Sequence, residues 1–431
     1  MKYYSTKSKD VHVELATAVL KSLPPDNGLY MPVSIPDLSD LVSDIANVDL
    51  PEIAFRIAQP YLNEAFSDDD IRQICNEAIN FSAPIHSLTK DLHVLELWHG
   101  PSLAFKDFGA RFMAAVMSRL VSKEDKKLTI LVATSGDTGG AVAYGFLGVP
   151  NVEVIILYPK DKVSPLQEKQ LTTLGQNITA LEVDGTFDDC QALVKKAFLD
   201  KEINKEYNLS SANSINICRL IPQSFYYFEA FRQISQNDKE VVFCVPSGNF
   251  GNLTAGLLAK RMGLPVEKYI AATNLNDVVP SYLETGSYEP KPSVATISNA
   301  MDVGNPSNFR RMEDLYRHLW EDMKGDILGY SYNDKTTEEA IAEIYIKYHY
   351  TMDPHGAVAY QAATSYQAEH PDHQVVILET AHPAKFLPVM GPILGKIDIP
   401  ERLAVLKDSK KVATPMEIGF EGFKEWLLEN S

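Results

Sequence analysis

The apolar positions of this chain change rhythm near residue 93. Before that point they recur at helical spacing. Over residues 51–81, Ile53, Ile57 and Ala58 form one stripe, and Ile71, Ile74, Cys75 and Ala78 form another. Ser67, followed by Asp68, Asp69 and Asp70, has the chemistry of an N-cap with acids in the first turn. Pro24-Pro25-Asp26-Asn27-Gly28 marks a turn. No catalytic cluster occurs here, so residues 1–95 are expected to form a mainly helical, structural N-terminal domain.

Beyond residue 93, short apolar runs alternate with helical patterns. Strands are expected at 93–98, 128–133, 152–158, 178–183, 240–245, 270–273 and 375–378. Helices are expected over 108–120, 141–147, 164–174, 187–198, 223–234, 253–262 and 337–348. This alternation predicts α/β architecture, a parallel sheet with helices on both faces. Residues 280–310, rich in Pro, Ser, Gly and Asn, read as a long loop.

Open parallel sheets bind ligands at the carboxyl ends of their strands. Polar turns stand at three such ends. Ser247 to Asn252 carries Gly248 and Gly251, which allow close backbone approach and suit a phosphate at the start of the next helix. The alternative is a plain strand-to-helix turn. Thr134 to Gly140 offers hydroxyls and backbone N–H groups suited to a carboxylate. Glu379 to Phe386 is the third. In His99-Gly-Pro-Ser-Leu-Ala-Phe-Lys-Asp-Phe-Gly-Ala-Arg111, Lys106 lies among Leu103, Ala104, Phe105 and Phe108. Apolar surroundings lower a lysine's pKa and make it a nucleophile toward carbonyls. The alternative is a solvated lysine opening a helix. An amine nucleophile, a phosphate seat and a hydroxyl-rich carboxylate seat thus stand on separate strand ends of one sheet, and pyridoxal phosphate needs a Schiff-base lysine, a phosphate seat and a partner for its ring nitrogen.

Composition narrows the classes. The 431 residues imply two or three domains, and the net charge of −17 argues against nucleic acid or an anionic membrane as partner. An anionic substrate then needs a local cation. Cys75, Cys190, Cys218 and Cys244 have no metal-site spacing and suggest a reducing compartment. MKYYSTKSKD leads into no apolar signal core and no apolar run is long enough to span a bilayer, so a cytoplasmic location is expected. Asp137-Thr138-Gly139 lacks the second triplet of an aspartic protease, and Asp107-Phe108-Gly109 lacks the other kinase motifs. Neither a P-loop nor H-E-x-x-H occurs. His99, His355 and His382 are isolated and read as hydrogen-bonded structural histidines, so no metal site is expected.

The runs HGPSLAFKDFGARF, ATSGDTGGAVA, NSINICRL, VPSGNFGNLTAGLLAK, SNAMDVGNPSN and TAHPAKF, in this order, closely resemble the threonine synthase family. The resemblance is to the bacterial and fungal type with an N-terminal extension, and runs from about 93 to 390, more loosely over the first 90 residues. It implies an α/β fold of two open, mainly parallel sheets with helices on both faces, the fold type II of pyridoxal-phosphate enzymes such as tryptophan synthase β. It implies a large cofactor domain of 96–110 and 215–431 around a smaller nested one of 111–214. The implied reaction converts O-phospho-L-homoserine and water to L-threonine and phosphate, with no nucleic-acid or membrane partner, in a monomer or homodimer.

By match of position, Lys106 is the Schiff-base lysine, and Gly248, Asn249, Phe250, Gly251 and Asn252 hold the cofactor phosphate. Thr380 meets the pyridine nitrogen and leaves it unprotonated. Thr134, Ser135 and Thr138 face the substrate carboxylate; Asn213, Ser214 and Arg219 face its phosphate. Asp137 stands where many relatives of the wider fold type have Asn beside the ring oxygen, and would need a proton to make the same contact. Lys106 then serves as general base at Cα, a β-proton and the γ-phosphate leave, and water adds at Cβ. The leaving phosphate is itself proposed as an acid or base in this family. Threonine dehydratase and cysteine synthase are alternatives on the same fold, whose substrates carry no phosphate. An inactive homologue binding phosphorylated ligands is the non-enzyme alternative, and would not need Lys106.

Overall fold

The computed structural model describes residues 1–121, 127–234 and 239–430. Its strands, in chain order, are β1 (Lys2–Ser5), β2 (Ser8–Glu14), β3 (Tyr30–Pro32), β4 (Ile85–Ser87), β5 (Leu92–Glu96), β6 (Leu128–Ala133) and β7 (Val152–Pro159). They continue with β8 (Ile178–Val183), β9 (Asn208–Ser211), β10 (Val241–Pro246), β11 (Lys268–Thr273), β12 (Ile327–Ser331), β13 (Gln374–Glu379) and β14 (Thr414–Met416).

Two mainly parallel sheets form the body of the fold. One is ordered β12-β11-β10-β13-β5-β4, parallel except for the β4–β5 pair. The other is ordered β14-β8-β7-β6-β9 and is parallel throughout. β6, β10 and β13 are buried along their whole length, as the unbroken apolar runs require of strands covered on both faces. The fold is therefore mixed α/β with helices packed on mostly parallel sheets.

The N-terminal region carries the two expected helices, Leu50–Leu62 and Asp68–Ala78, and Ser67 forms a capping box with Asp70. It also carries an antiparallel sheet ordered β2-β1-β3, which helical periodicity did not reveal. β4 and β5 belong to the six-stranded sheet, so the region ends before them rather than at residue 95. The C-terminal segment also departs from its expected unit. β14 pairs with β8 of the five-stranded sheet, and helix Phe420–Glu429 buries Phe423 and Leu427 against Leu193 and Ile203. Apolar side chains with no partner on the large sheet find one there. Between residues 280 and 310 the chain is mostly irregular, with helix Val278–Thr285 at its start and a short turn of 3₁₀ helix at Asn299–Met301.

Candidate active site

The carboxyl ends of β6, β10 and β13 open onto one cavity of about 560 Å³. Three chain crossings stitch the lysine stretch to the end of β13. The Phe105 N–H donates to the Thr380 carbonyl at 2.8 Å, the His382 N–H to that of Leu103 at 3.0 Å, and Leu97 to that of Glu379 at 3.0 Å. These bonds put Lys106, first residue of helix Lys106–Val121, beside Thr380. Both line the cavity.

Lys106 opens onto the cavity, so part of its surface is accessible, yet protein surrounds it. Desolvation lowers its pKa to about 8. Asp137 pulls that value up, while Lys385 and Arg219 push it down. The helical pattern placed this helix two residues too late; the observed start makes Lys106 its head.

The glycine turn after β10 also faces the cavity: Gly248, Asn249, Phe250, Gly251 and Asn252 all line it. Phe250, not a glycine, takes the left-handed conformation, at φ +59°. Gly248 is the crowded position, since a Cβ there would sit 2.8 Å from the Ala300 carbonyl oxygen. At Gly251 a Cβ would meet Asn308 at an ordinary 3.4 Å and the φ is ordinary, so the constraint expected at Gly251 lies at Gly248. Asn252 accepts from the Tyr226 and Tyr227 hydroxyls at 2.6 and 2.8 Å, and its buried amide nitrogen has no partner among the described residues. A buried unpaired donor at a helix N-terminus, beside backbone N–H groups, is suited to an anion. These features fit the phosphate of pyridoxal phosphate.

Thr134, Ser135 and Thr138 line the same cavity. The Thr134 hydroxyl is engaged within its own turn, accepting from the N–H groups of Gly136 and Gly139 at 3.0 and 2.8 Å. It shapes the turn, leaving Ser135 and Thr138 as the hydroxyls offered to a ligand. Asn213, Ser214 and Arg219 also line the cavity, with Ser214 packed beside Gly251 of the glycine turn. Arg219 is 3 % exposed, one terminal nitrogen donates to the Ala212 carbonyl, and its Nε has no partner. Burial lowers its pKa to about 10.

Asp137 is placed differently. It begins helix Asp137–Phe146, which starts earlier than the apolar pattern suggested, and does not line the cavity. Its Oδ1 pairs with Lys385 Nζ at 2.6 Å and accepts from Gln167 at 2.8 Å. Burial alone would raise its pKa, but Lys385 and Lys106 hold it well below the usual carboxylate range. It is therefore a carboxylate balanced by an ammonium, and needs no proton.

Lys385, which also donates to the Ser102 carbonyl at 2.8 Å, is the residue the sequence reading missed. It stands within TAHPAKF, but nothing in the spacing of that run points to Asp137. One histidine read as structural is hydrogen-bonded as expected and also reaches the cavity. His355 lines the cavity, its Nδ1 bonds Asp353 at 2.6 Å, and its Nε2 accepts from the Ala300 N–H at 3.2 Å. Asp353 in turn donates its backbone N–H to Glu379, whose pKa burial and Asp353 push well up. His99 bonds Glu96 and His382 accepts from Ala384, as structural histidines do. No cluster of potential metal ligands occurs among the described residues.

This fold, with a lysine of lowered pKa facing a glycine-turn anion seat, defines the class of pyridoxal-phosphate-dependent enzymes, and the family model described as "Pyridoxal-phosphate dependent enzyme" matches residues 68–380. Models described as "Threonine synthase N terminus" and "Threonine synthase, C-terminal" match residues 2–79 and 356–425. The chain is 43% identical to the threonine synthase of Escherichia coli strain K12 over 100% of both chains. The crystal structure of the Escherichia coli enzyme superposes with a TM-score of 0.94 at 42% identity, covering 100% of each chain. A pyridoxal-phosphate-bound threonine synthase from Brucella melitensis gives 0.93 at 33% identity, covering 100% of this chain and 99% of that one. The chain belongs to the threonine synthase family, and its activity is that of a pyridoxal-phosphate-dependent lyase of amino-acid biosynthesis.

Proposed function

We propose that the substrate is O-phospho-L-homoserine, converted with water to L-threonine and phosphate, and that Lys106 anchors the cofactor covalently. The observation that carries this is that two anion seats line the cavity of Lys106: a glycine turn without a cation, and the partly unpaired, buried guanidinium of Arg219. Two anions need two seats. Gly248 to Asn252 would hold the cofactor phosphate and Thr380 would meet the ring nitrogen. Bound pyridoxal phosphate supplies an electron sink for charge developing at the substrate carbons.

The side chains do the rest. Lys106, its pKa lowered to about 8 by burial, would be neutral often enough near that pH to take the Cα proton. Ser135 and Thr138 orient the carboxylate, and Arg219, with Asn213 and Ser214, holds the γ-phosphate as it departs. Dehydratases and cysteine synthases need no such cation, and a non-catalytic binder needs no Lys106. The four cysteines are free and buried, which supports a reducing, cytoplasmic setting. Release of phosphate together with threonine from O-phospho-L-homoserine tests this reading.

Two further results are expected. Gly248→Val should weaken pyridoxal phosphate binding, because the added atoms meet the backbone of Ala300 and Met301. Titration of the apoprotein with the cofactor checks this, and an unchanged dissociation constant would place the seat elsewhere. Lys385→Met should move the pH at which the apoprotein begins to react with pyridoxal phosphate. The wild-type rate should rise through pH about 8, where Lys106 loses its proton. Without the Lys385 ammonium, Asp137 acts on Lys106 alone, raises its pKa and shifts the inflection to higher pH. Adding Asp137→Asn should bring the inflection back. A profile that stays put in Lys385→Met would contradict the argument.

A further inference from the structure

Ser22 follows helix Leu15–Lys21 of the N-terminal region and is fully buried. Its backbone sits at φ +62° and ψ −43°, where residues with a Cβ are rare. The Leu23 N–H donates to the Lys21 carbonyl at 2.6 Å, closing a γ-turn around it. Strain at a buried polar residue persists where surrounding contacts enforce it. Those contacts all lead to one segment.

The Ser22 hydroxyl oxygen accepts from the Ser211 N–H at 3.0 Å and from Asn216 Nδ2 at 2.9 Å. Its own proton has two acceptors, Ser210 Oγ at 2.9 Å and the Ser211 carbonyl at 3.0 Å. Asn216 also donates to the Val19 carbonyl at 2.9 Å, and its Oδ1 accepts from the Cys218 N–H at 3.0 Å. It thereby caps the turn Ile217–Leu220 that carries Arg219. From another side the fully buried Arg311 donates to the carbonyls of Ser214 and Ile215 at 3.0 and 2.6 Å, and to that of Tyr30 at 3.1 Å. The segment that shows Asn213, Ser214 and Arg219 to the cavity is thus bonded on its other side to the N-terminal region.

We propose that Ser22 is a positioning residue through which the N-terminal region sets the phosphate seat formed by Asn213, Ser214 and Arg219. This rests on the reading of those three residues as the seat for the substrate phosphate. The hydroxyl fixes the end of β9 and Asn216 together; Asn216 then fixes the turn bearing Arg219. The glycine turn that would hold the cofactor phosphate receives no bond from Ser22. Loss of the hydroxyl should therefore separate the two anion sites.

The test uses holoenzyme variants Ser22→Ala and Ser22→Gly. The alanine keeps the strained backbone without the hydroxyl, and the glycine also relieves the strain. Inorganic phosphate, as competitive inhibitor against O-phospho-L-homoserine, is the probe. Both variants should raise its inhibition constant, and KM with it, roughly tenfold, while the dissociation constant of pyridoxal phosphate stays within about twofold. Unchanged phosphate inhibition in both would overturn the inference, as would equal losses at the two sites, which would mark Ser22 as a general stabiliser. Arg219→Lys in the same assay separates the levels of the argument. If it weakens phosphate inhibition while both Ser22 variants do not, the inference alone fails. If it leaves phosphate inhibition unchanged, the seat itself lies elsewhere and the inference falls with it.

Discussion

Lys106→Ala should abolish turnover while leaving the fold intact. The side chain opens onto the cavity and forms no ion pair among the described residues, so its removal strands no partner among them. Burial lowers its pKa to about 8, as a role in reaction requires. Losing a covalent catalyst and general base in one substitution should cost several orders of magnitude in rate, well beyond one hydrogen bond. The absorbance of covalently held cofactor should vanish with it. Circular dichroism and the melting curve should stay close to wild type. Substantial residual turnover would mean that another group does the chemistry.

Arg219→Lys comes next in expected size. The guanidinium is buried, one of its nitrogens is bound to the Ala212 carbonyl, and its Nε has no protein partner. A buried charged donor left unpaired is costly, so a ligand that completes it gains accordingly. Arginine offers two parallel hydrogen bonds to phosphate oxygens; lysine is a single compact charge. The loss in kcat/KM should be roughly tenfold to a hundredfold, about 1–3 kcal/mol of transition-state binding. Cofactor binding should persist. A lower melting temperature with unchanged kcat/KM would instead identify Arg219 as a structural brace. Among the described residues it makes no ion pair, which is why the kinetic outcome is expected.

The sequence was most readable where burial was most uniform. Residues 128–133 coincide with β6, which is buried along its whole length; residues 178–183 coincide with β8, where half-buried Thr179 and Glu182 stand among buried apolar residues. Helix Pro354–Glu369 went unread for a related reason. It buries Ala357, Val358, Ala359, Ala362 and Ala363, so no polar face gives it a period. β9, with sequence NLSS, and β12 lie at sheet edges, where half the pairing is absent and polar residues are tolerated. β14 is three residues long and is held by β8 from far along the chain.

The site divides the same way. Lys106 and the glycine turn were visible because their chemistry is local: apolar neighbours around one lysine, and glycines between a strand and a helix. The Asp137–Lys385 pair was not, because two charged residues on separate elements become partners only when the sheets assemble. The part Thr134 plays in its own turn was hidden for the same reason as the start of its helix. Asp137-Thr138-Gly139-Gly140 has poor intrinsic helix propensity, yet Thr134 ties its first turn down through Gly136 and Gly139.

The most direct measurement is product analysis on the purified protein loaded with pyridoxal phosphate and given O-phospho-L-homoserine. Inorganic phosphate and L-threonine should appear in equal amounts, and both should require the cofactor. Phosphate without threonine, or no phosphate release by cofactor-loaded protein, would contradict the account.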